Sequence, residues 1–310
     1  MSKSLLLLTN LFFGHKGKSA MDKQIKFYLP DFYYQYQLNT ELAIMMRDHP
    51  EFFMDGISIG AIYGSFPGAI WNGGRLMSGG TDQNNIVNTI VGINDLGIPI
   101  RFTFTNCLLE KHHVHDTYCN LIMGAADNGM NEVLVNSPIL EEYLRAKYPN
   151  FKYLMSTTRC ERDVQKINEA CKKYHLVVPD FRDNKDLDFL SKLEDKDKIE
   201  LLINAYCNPD CPWRSEHYQA LSSDQLWFRN SATFVGCDAM SRPFHEALNL
   251  ATTIRADELY GAYADMGFTN FKIEGRTLHT FEIIESYVHY LIKPEHKDRV
   301  RHDLVRICWP

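Results

Sequence analysis

The sequence predicts an α/β fold, a (β/α)8 barrel of the TIM type. Three observations carry this. Short apolar runs of strand length alternate with helical periods along nearly the whole chain. Eight such runs can be counted. At 310 residues the chain also holds the ~250 residues such a barrel needs, with room for insertions.

In order, the first strand is IKFYL (25–29) and its helix LNTELAIMMR (38–47). GISIG (56–60) is followed by the helical stretch 84–96, which Gly97 closes as a left-handed stop. IRFTFT (100–105) precedes a helix at 120–128, and EVLVN (132–136) one at 138–147. Pro138 opens that helix where its missing N–H costs nothing. KYLMS (152–156), LVVP (176–179) and IELLIN (199–204) are the next strands, with helices at 162–174 and 187–193. A helix at 256–266, ended by Gly267, leads to the last strand, NFKIE (270–274). The final helix, FEIIESYVHYL (281–291), sets Phe281, Ile284, Val288 and Leu291 on one face. The expected organisation is a lead-in at 1–23, a barrel over 24–292 and a tail at 293–310 packing on it. A long insertion at 206–253 follows strand seven. A doubly wound sheet would want a glycine-rich phosphate turn after the first strand, where this chain has Leu29-Pro30-Asp31-Phe32. WNGGRLMSGG (71–80) lacks the GxGxxG order and gets little weight as a nucleotide site.

Composition narrows the function. Net charge is -6 and the pI about 6.1, so no global basic field draws nucleic acid. No run approaches the ~20 apolar residues that span a bilayer, and Lys18-Ser19-Ala20 is a poor export cleavage site. The expectation is a cytoplasmic protein with no membrane partner. Its eight cysteines are then reduced thiols, and Cys171, within a helix, reads as a core filler.

In a barrel, function gathers where strands end. That filter selects Asn106, the loop 110–118, Asn136, Ser156, Thr157, Asp180, Arg182, Asn204, the segment 207–217, Glu274 and Arg276. The insertion stands out, because Cys207, Cys211 and Cys237 all lie in it. Thiolates are soft donors suited to iron–sulfur clusters or zinc. A four-ligand site would need one more, and Cys308, His217 and Cys160 compete. His112, His113, His115, Asp116 and Cys119 form a second cluster, whose spacing matches no standard metal motif. FKIEGR (271–276) puts Glu274 and Arg276 at the top of the last strand, around a glycine that would let the chain turn. Such a couple can grip a carboxylate and move a proton, or simply pair and close the barrel. No GxSxG elbow is present.

FKIEGR at the end of such a chain resembles the collagenase-like peptidases, family thirty-two among peptidases of unassigned mechanism. VLVNSPILEEYLRAKYPNFKYLMSTT (133–158) and IELLINAYCNPDCPWRSEHY (199–218) look like other passages of that family, and the similarity runs from about Gln24 to Leu291. The resemblance implies a barrel with a 4Fe-4S cluster held by four cysteines. Carried over, the ligands would be Cys207, Cys211, Cys237 and Cys308. Some similar proteins are oxygen-independent hydroxylases and some work as heterodimers with a related subunit. The chain departs from the family in the tight spacing of its first cysteines and in lacking a long C-terminal domain.

The leading expectation is therefore an iron–sulfur hydroxylase for a small carboxylate or aromatic substrate. Glu274, Arg276 and Asn204 would be catalytic, with Arg214, Asn106, Asn136 and Ser156 binding substrate. A zinc peptidase, or a non-catalytic barrel partner stapled by metal, are the alternatives.

Overall fold

The computed structural model describes residues 24–231, 237, 239 and 241–308. The expected lead-in at 1–23 lies outside the described residues. The strands are β1 (Ile25–Pro30), β2 (Ile57–Gly64), β3 (Ile100–Phe104), β4 (Glu132–Val135), β5 (Lys152–Met155), β6 (Leu176–Val177), β7 (Glu200–Leu202) and β8 (Asn270–Lys272). They form one parallel sheet in the order β6-β5-β4-β3-β2-β1-β8-β7. A parallel bridge between Val177 and Ile199 brings its two edges together, so the sheet is a nearly closed barrel.

The helices are α1 (Tyr36–Asp48), α2 (Gln83–Asn94), α3 (Thr117–Ala125), α4 (Pro138–Lys147), α5 (Val164–Lys173) and α6 (Leu187–Ser191). After them come α7 (Arg214–Leu226), α8 (Phe244–Ala247), α9 (Ala256–Glu258), α10 (Thr280–Leu291) and α11 (Lys297–Cys308). Local chemistry starts several of them. Ser137 caps α4 ahead of Pro138, and Asp82, Asp116 and Asp163 accept backbone N–H bonds at the starts of α2, α3 and α5. α9 runs on as a π-helical turn, Leu259–Tyr263, completing the helix expected at 256–266.

Strand residues alternate in direction. Phe27, Leu29, Phe102, Phe104, Val133, Val135 and Phe271 join the apolar layer under the helices. Tyr28, Ala61, Tyr63, Leu134, Leu154, Leu176 and Val178 form a separate cluster inside the barrel. The barrel floor is charged. Arg101, completely buried, donates to Glu132 Oε2 at 2.7 Å and to Glu200, and stacks 3.9 Å over the Tyr28 ring. Buried charge of this kind is tolerated because it is paired.

Two elements differ from expectation. Strand β2 runs four residues beyond Gly60, which is not a stop but a close approach: a Cβ there would lie 2.6 Å from the Tyr28 ring. The insertion at 206–253 is not simply a loop, because it holds α7 and α8. Helix α11 lies against α1 and α10 and buries Val300 and Leu304.

Candidate functional site

The last strand builds the site. Period-two geometry turns Lys272 and Glu274 inward together, and Arg276 follows them just past the strand end. All three line a small chamber of about 60 Å³ at the top of the barrel. Tyr63, Thr103, Thr105 and Ser156 complete its walls from other strand ends, and Gly74, Arg75 and Tyr218 cover it. Above it opens a larger cavity of about 450 Å³. Arg75, Leu202, Tyr218 and Glu274 belong to both and form the partition between them.

Glu274 and Arg276 do not pair with each other among the bonds described. Glu274 takes Arg75 as its ion partner, and its other oxygen accepts the Tyr206 N–H at 2.9 Å. Arg276 donates to Asn72 Oδ1 at 2.9 Å, Thr103 Oγ1 at 2.7 Å and the Gly73 carbonyl at 2.9 Å. A guanidinium carries five N–H donors, so two remain for a ligand. Burial pulls the Arg276 guanidinium down to about 10 and the Lys272 ammonium down to about 7. Lys272 lies 4.0 Å over the Tyr63 ring and 3.8 Å from Glu200 Oε1.

Thr105 supplies the sharpest sign of a ligand. Its side chain is 3% exposed and lines the chamber, yet its Oγ1 has no hydrogen-bond partner among the described residues. Arg75 Nε, at the partition, is buried and unpartnered in the same way. Buried polar atoms are nearly always satisfied, so an orphan facing a cavity calls for a partner there, a water or a bound group.

The roof comes from the glycine-rich loop and α7. Gln225 accepts from Asn72 Nδ2 and Met77 N and donates to the carbonyls of Ala69 and Met77. Asn106 ties the same helix down, donating to Ser222 O and Ile70 O at 3.0 Å each. Asn106 thus holds the roof. Asn204 holds the wall: its amide donates to the Glu274 carbonyl at 3.1 Å and accepts the Glu274 N–H at 2.6 Å. Ser156 faces the chamber and accepts from Thr158, and Asn136 donates to Thr158 Oγ1 at 2.8 Å. Thr157 also lines the chamber, while Asp180 is bound by Arg182 at 2.8 Å. Arg214 lines the larger cavity, stacks 3.9 Å over Phe181 and lies 3.4 Å from Asp180.

Cys207, Cys237 and His217 also line the larger cavity. Cys207 feels the charges of Arg214, Glu274 and Cys211, but burial dominates and pushes its thiol up. His217 is pushed down by burial and by Arg75 and Arg214. Cys160 sits in a left-handed turn after β5, beside Arg214, and Cys308 ends α11 on the outer helix layer. The donor chemistry suits iron–sulfur or zinc. Among the described residues, no three His, Cys, Asp or Glu side chains gather as a metal requires.

The histidine-rich loop resolves into local structure. His113 Nδ1 accepts the Glu110 N–H at 2.9 Å, Asp116 caps α3, and Cys119, like Cys171, is a buried core thiol. Sequence reasoning missed Arg75 and Lys272. The signal for Lys272 was present, since positions 272, 274 and 276 share one face of an extended chain. Arg75 lay inside a glycine-rich stretch judged only as a nucleotide site.

Among solved structures, that of the U32 peptidase Mk0906 is similar, with a TM-score of 0.52 over 84% of this chain and 97% of that chain. Sequence identity is 13%, so the likeness establishes a shared U32-like fold. No protein-family model matches the chain, and no curated protein does. Among the described residues, no helix is long and apolar enough to cross a membrane.

Proposed function

We propose that this barrel is an enzyme acting on a small anionic molecule, a carboxylate, whose head binds in the inner chamber. The observation that carries the reading is the orphaned Thr105 hydroxyl in a chamber ringed by Arg75, Arg276 and Lys272 with the single carboxylate of Glu274. Arg75 is balanced by Glu274 and Lys272 lies beside Glu200, which leaves Arg276 as the cation without a carboxylate partner in the chamber. It offers two N–H groups at fixed angles, which suits a planar carboxylate. Glu274 is placed to move a proton at the mouth of the chamber, and Asn204 fixes its backbone. The larger cavity, with Arg214 and Tyr218 in its walls, takes the rest of the substrate. Arg75, Glu274 and Tyr218 stand between the inner chamber and the larger cavity.

The test is thermal denaturation with matched pairs of small carboxylic acids and their neutral amides. Acids that raise Tm where the amides do not support the reading. Equal effects of acid and amide across the series would refute it.

A second reading keeps iron–sulfur or zinc chemistry and an oxygen-independent hydroxylation. It is favoured by Cys207 and Cys237 facing one cavity with His217. Cys211, close enough to influence Cys207, would join them, and Cys308 would have to come from the outer layer. Such a group would supply electron transfer or Lewis acidity at the mouth. Anoxic purification followed by iron, sulfide and zinc analysis tests it. Stoichiometric metal that is lost in Cys207→Ser supports it, and a metal-free protein rules it out.

A further inference from the structure

We infer that Lys272 is a nucleophile that condenses with the carbonyl carbon of a small 2-oxo acid to form an imine. This rests on reading the inner chamber as an anion site and deepens it by naming the substrate class.

The geometry comes first. Lys272 lies at the end of β8, 7% exposed, with its side chain in the wall of the chamber that also holds Arg276 and Thr105. Its one ion partner among the described residues is Glu200, which already takes Arg101 through Oε2. The 3.8 Å contact with Lys272 exceeds hydrogen-bond length, so the amine is not tied down by a hydrogen bond. The other close neighbour of the amine is the Tyr63 ring at 4.0 Å. The ring face by itself favours the ammonium, but the side chain is 7% exposed among the chamber walls, and that burial favours the neutral amine that a carbonyl requires. Burial does bring its ammonium down to about 7, against the pull of Glu200 and with help from Arg101 and Arg276.

Size and charge then define the partner. A chamber of about 60 Å³ holds a few water-sized groups, taking ~10–15 Å³ for each. That suits the carboxylate and adjacent carbonyl of a 2-oxo acid, with any longer tail passing Tyr218 into the larger cavity. The free donors of Arg276 take the carboxylate, the Thr105 hydroxyl meets the carbonyl oxygen, and the amine meets the carbon. In the reaction the nitrogen lone pair adds to the carbonyl carbon and the C–O bond breaks. The oxygen leaves as water with the two protons of the amine, giving a C=N bond with no net redox change.

The experiment treats the full-length protein with pyruvate and sodium cyanoborohydride, which reduces an imine to a stable secondary amine. Intact mass and peptide mapping follow. Lactate, which keeps the carboxylate but lacks the carbonyl, is tested in parallel for its effect on Tm. The expected result is a single adduct on the peptide carrying Lys272, absent from Lys272→Met and suppressed by excess lactate. Should that variant not fold, the wild-type peptide map decides alone. No adduct despite stabilisation by lactate would overturn the imine and leave the anion site standing. Modification of surface lysines alone would also overturn it. No adduct and no effect of either acid would remove the anion reading and this inference together.

Discussion

Glu274 and Arg276, two positions apart at the end of the last strand, point into the same chamber yet bind different partners. Glu274 pairs with Arg75 from the glycine-rich loop, and Arg276 bonds Asn72, Thr103 and Gly73. A direct pair would neutralise both and close the barrel. Separate partners instead leave the guanidinium two donors and keep the carboxylate at the partition between the two cavities.

Replacing Thr105 by valine separates structure from binding. The hydroxyl makes no bond in the described structure, so its loss removes an unsatisfied buried group of nearly the same shape. Urea denaturation should show Thr105→Val equal to wild type or more stable by up to about 1 kcal/mol, while small carboxylates bind at least several-fold more weakly. Marked destabilisation of the empty protein would mean the hydroxyl has a structural bond after all.

Asn204→Ala should behave in the opposite way. It strips the Glu274 backbone of two bonds inside a fully buried setting. The cost should be about 1–3 kcal/mol of stability, read from denaturant midpoints. Turnover, once a substrate is known, should fall further than folding stability alone explains, because Glu274 moves.

The Lys272 amine gives stability a pH slope. Its folded value of about 7 lies below the 10.5 of an ordinary lysine, so between these limits the unfolded chain holds a proton that the folded chain does not. Stability therefore rises with pH across that window, by up to about 1.4 kcal/mol per unit, and the penalty is complete below it. Facing groups are Glu200 from β7, Arg101 from β3, Tyr63 from β2, and Glu274 and Arg276 from its own segment. Unfolding free energies of wild type and Lys272→Met from pH 7 to 10 should diverge with that sign. Parallel curves would show that the lysine stays charged in the folded protein.

Gly275 is required for space. Its φ is not positive, but a Cβ there would run into the Pro30 ring and lie 3.1 Å from Ile283. Gly275→Ala should destabilise by about 1–3 kcal/mol through overpacking and push Glu274 and Arg276 apart, which thermal melts and carboxylate binding report together.

Much of this was legible in the sequence. Alternating strand runs and helix periods gave the barrel, and the strand-end filter picked out Asn204, Glu274 and Arg276. Two things hid the rest. α7 buries Ser222, Asp224 and Gln225 as well as Leu221, because these polar side chains tie it to Cys107, Ser231 and the glycine-rich loop, so it shows little apolar period and reads as loop. Arg75 reaches Glu274 from 199 positions away, a pairing that no local pattern encodes. The reason assigned to Gly275, a sharp turn, also gave way to close approach, which depends on Pro30 at the far end of the chain.

The most direct test of the anion site is calorimetric titration of pyruvate and lactate into wild type and Arg276→Gln. The account predicts saturable binding of both acids near one per chain, weakened at least tenfold by the substitution, a loss of about 1.4 kcal/mol or more. Equal affinity in the two proteins, with the variant folded, would show that Arg276 does not hold the carboxylate and would contradict the central claim.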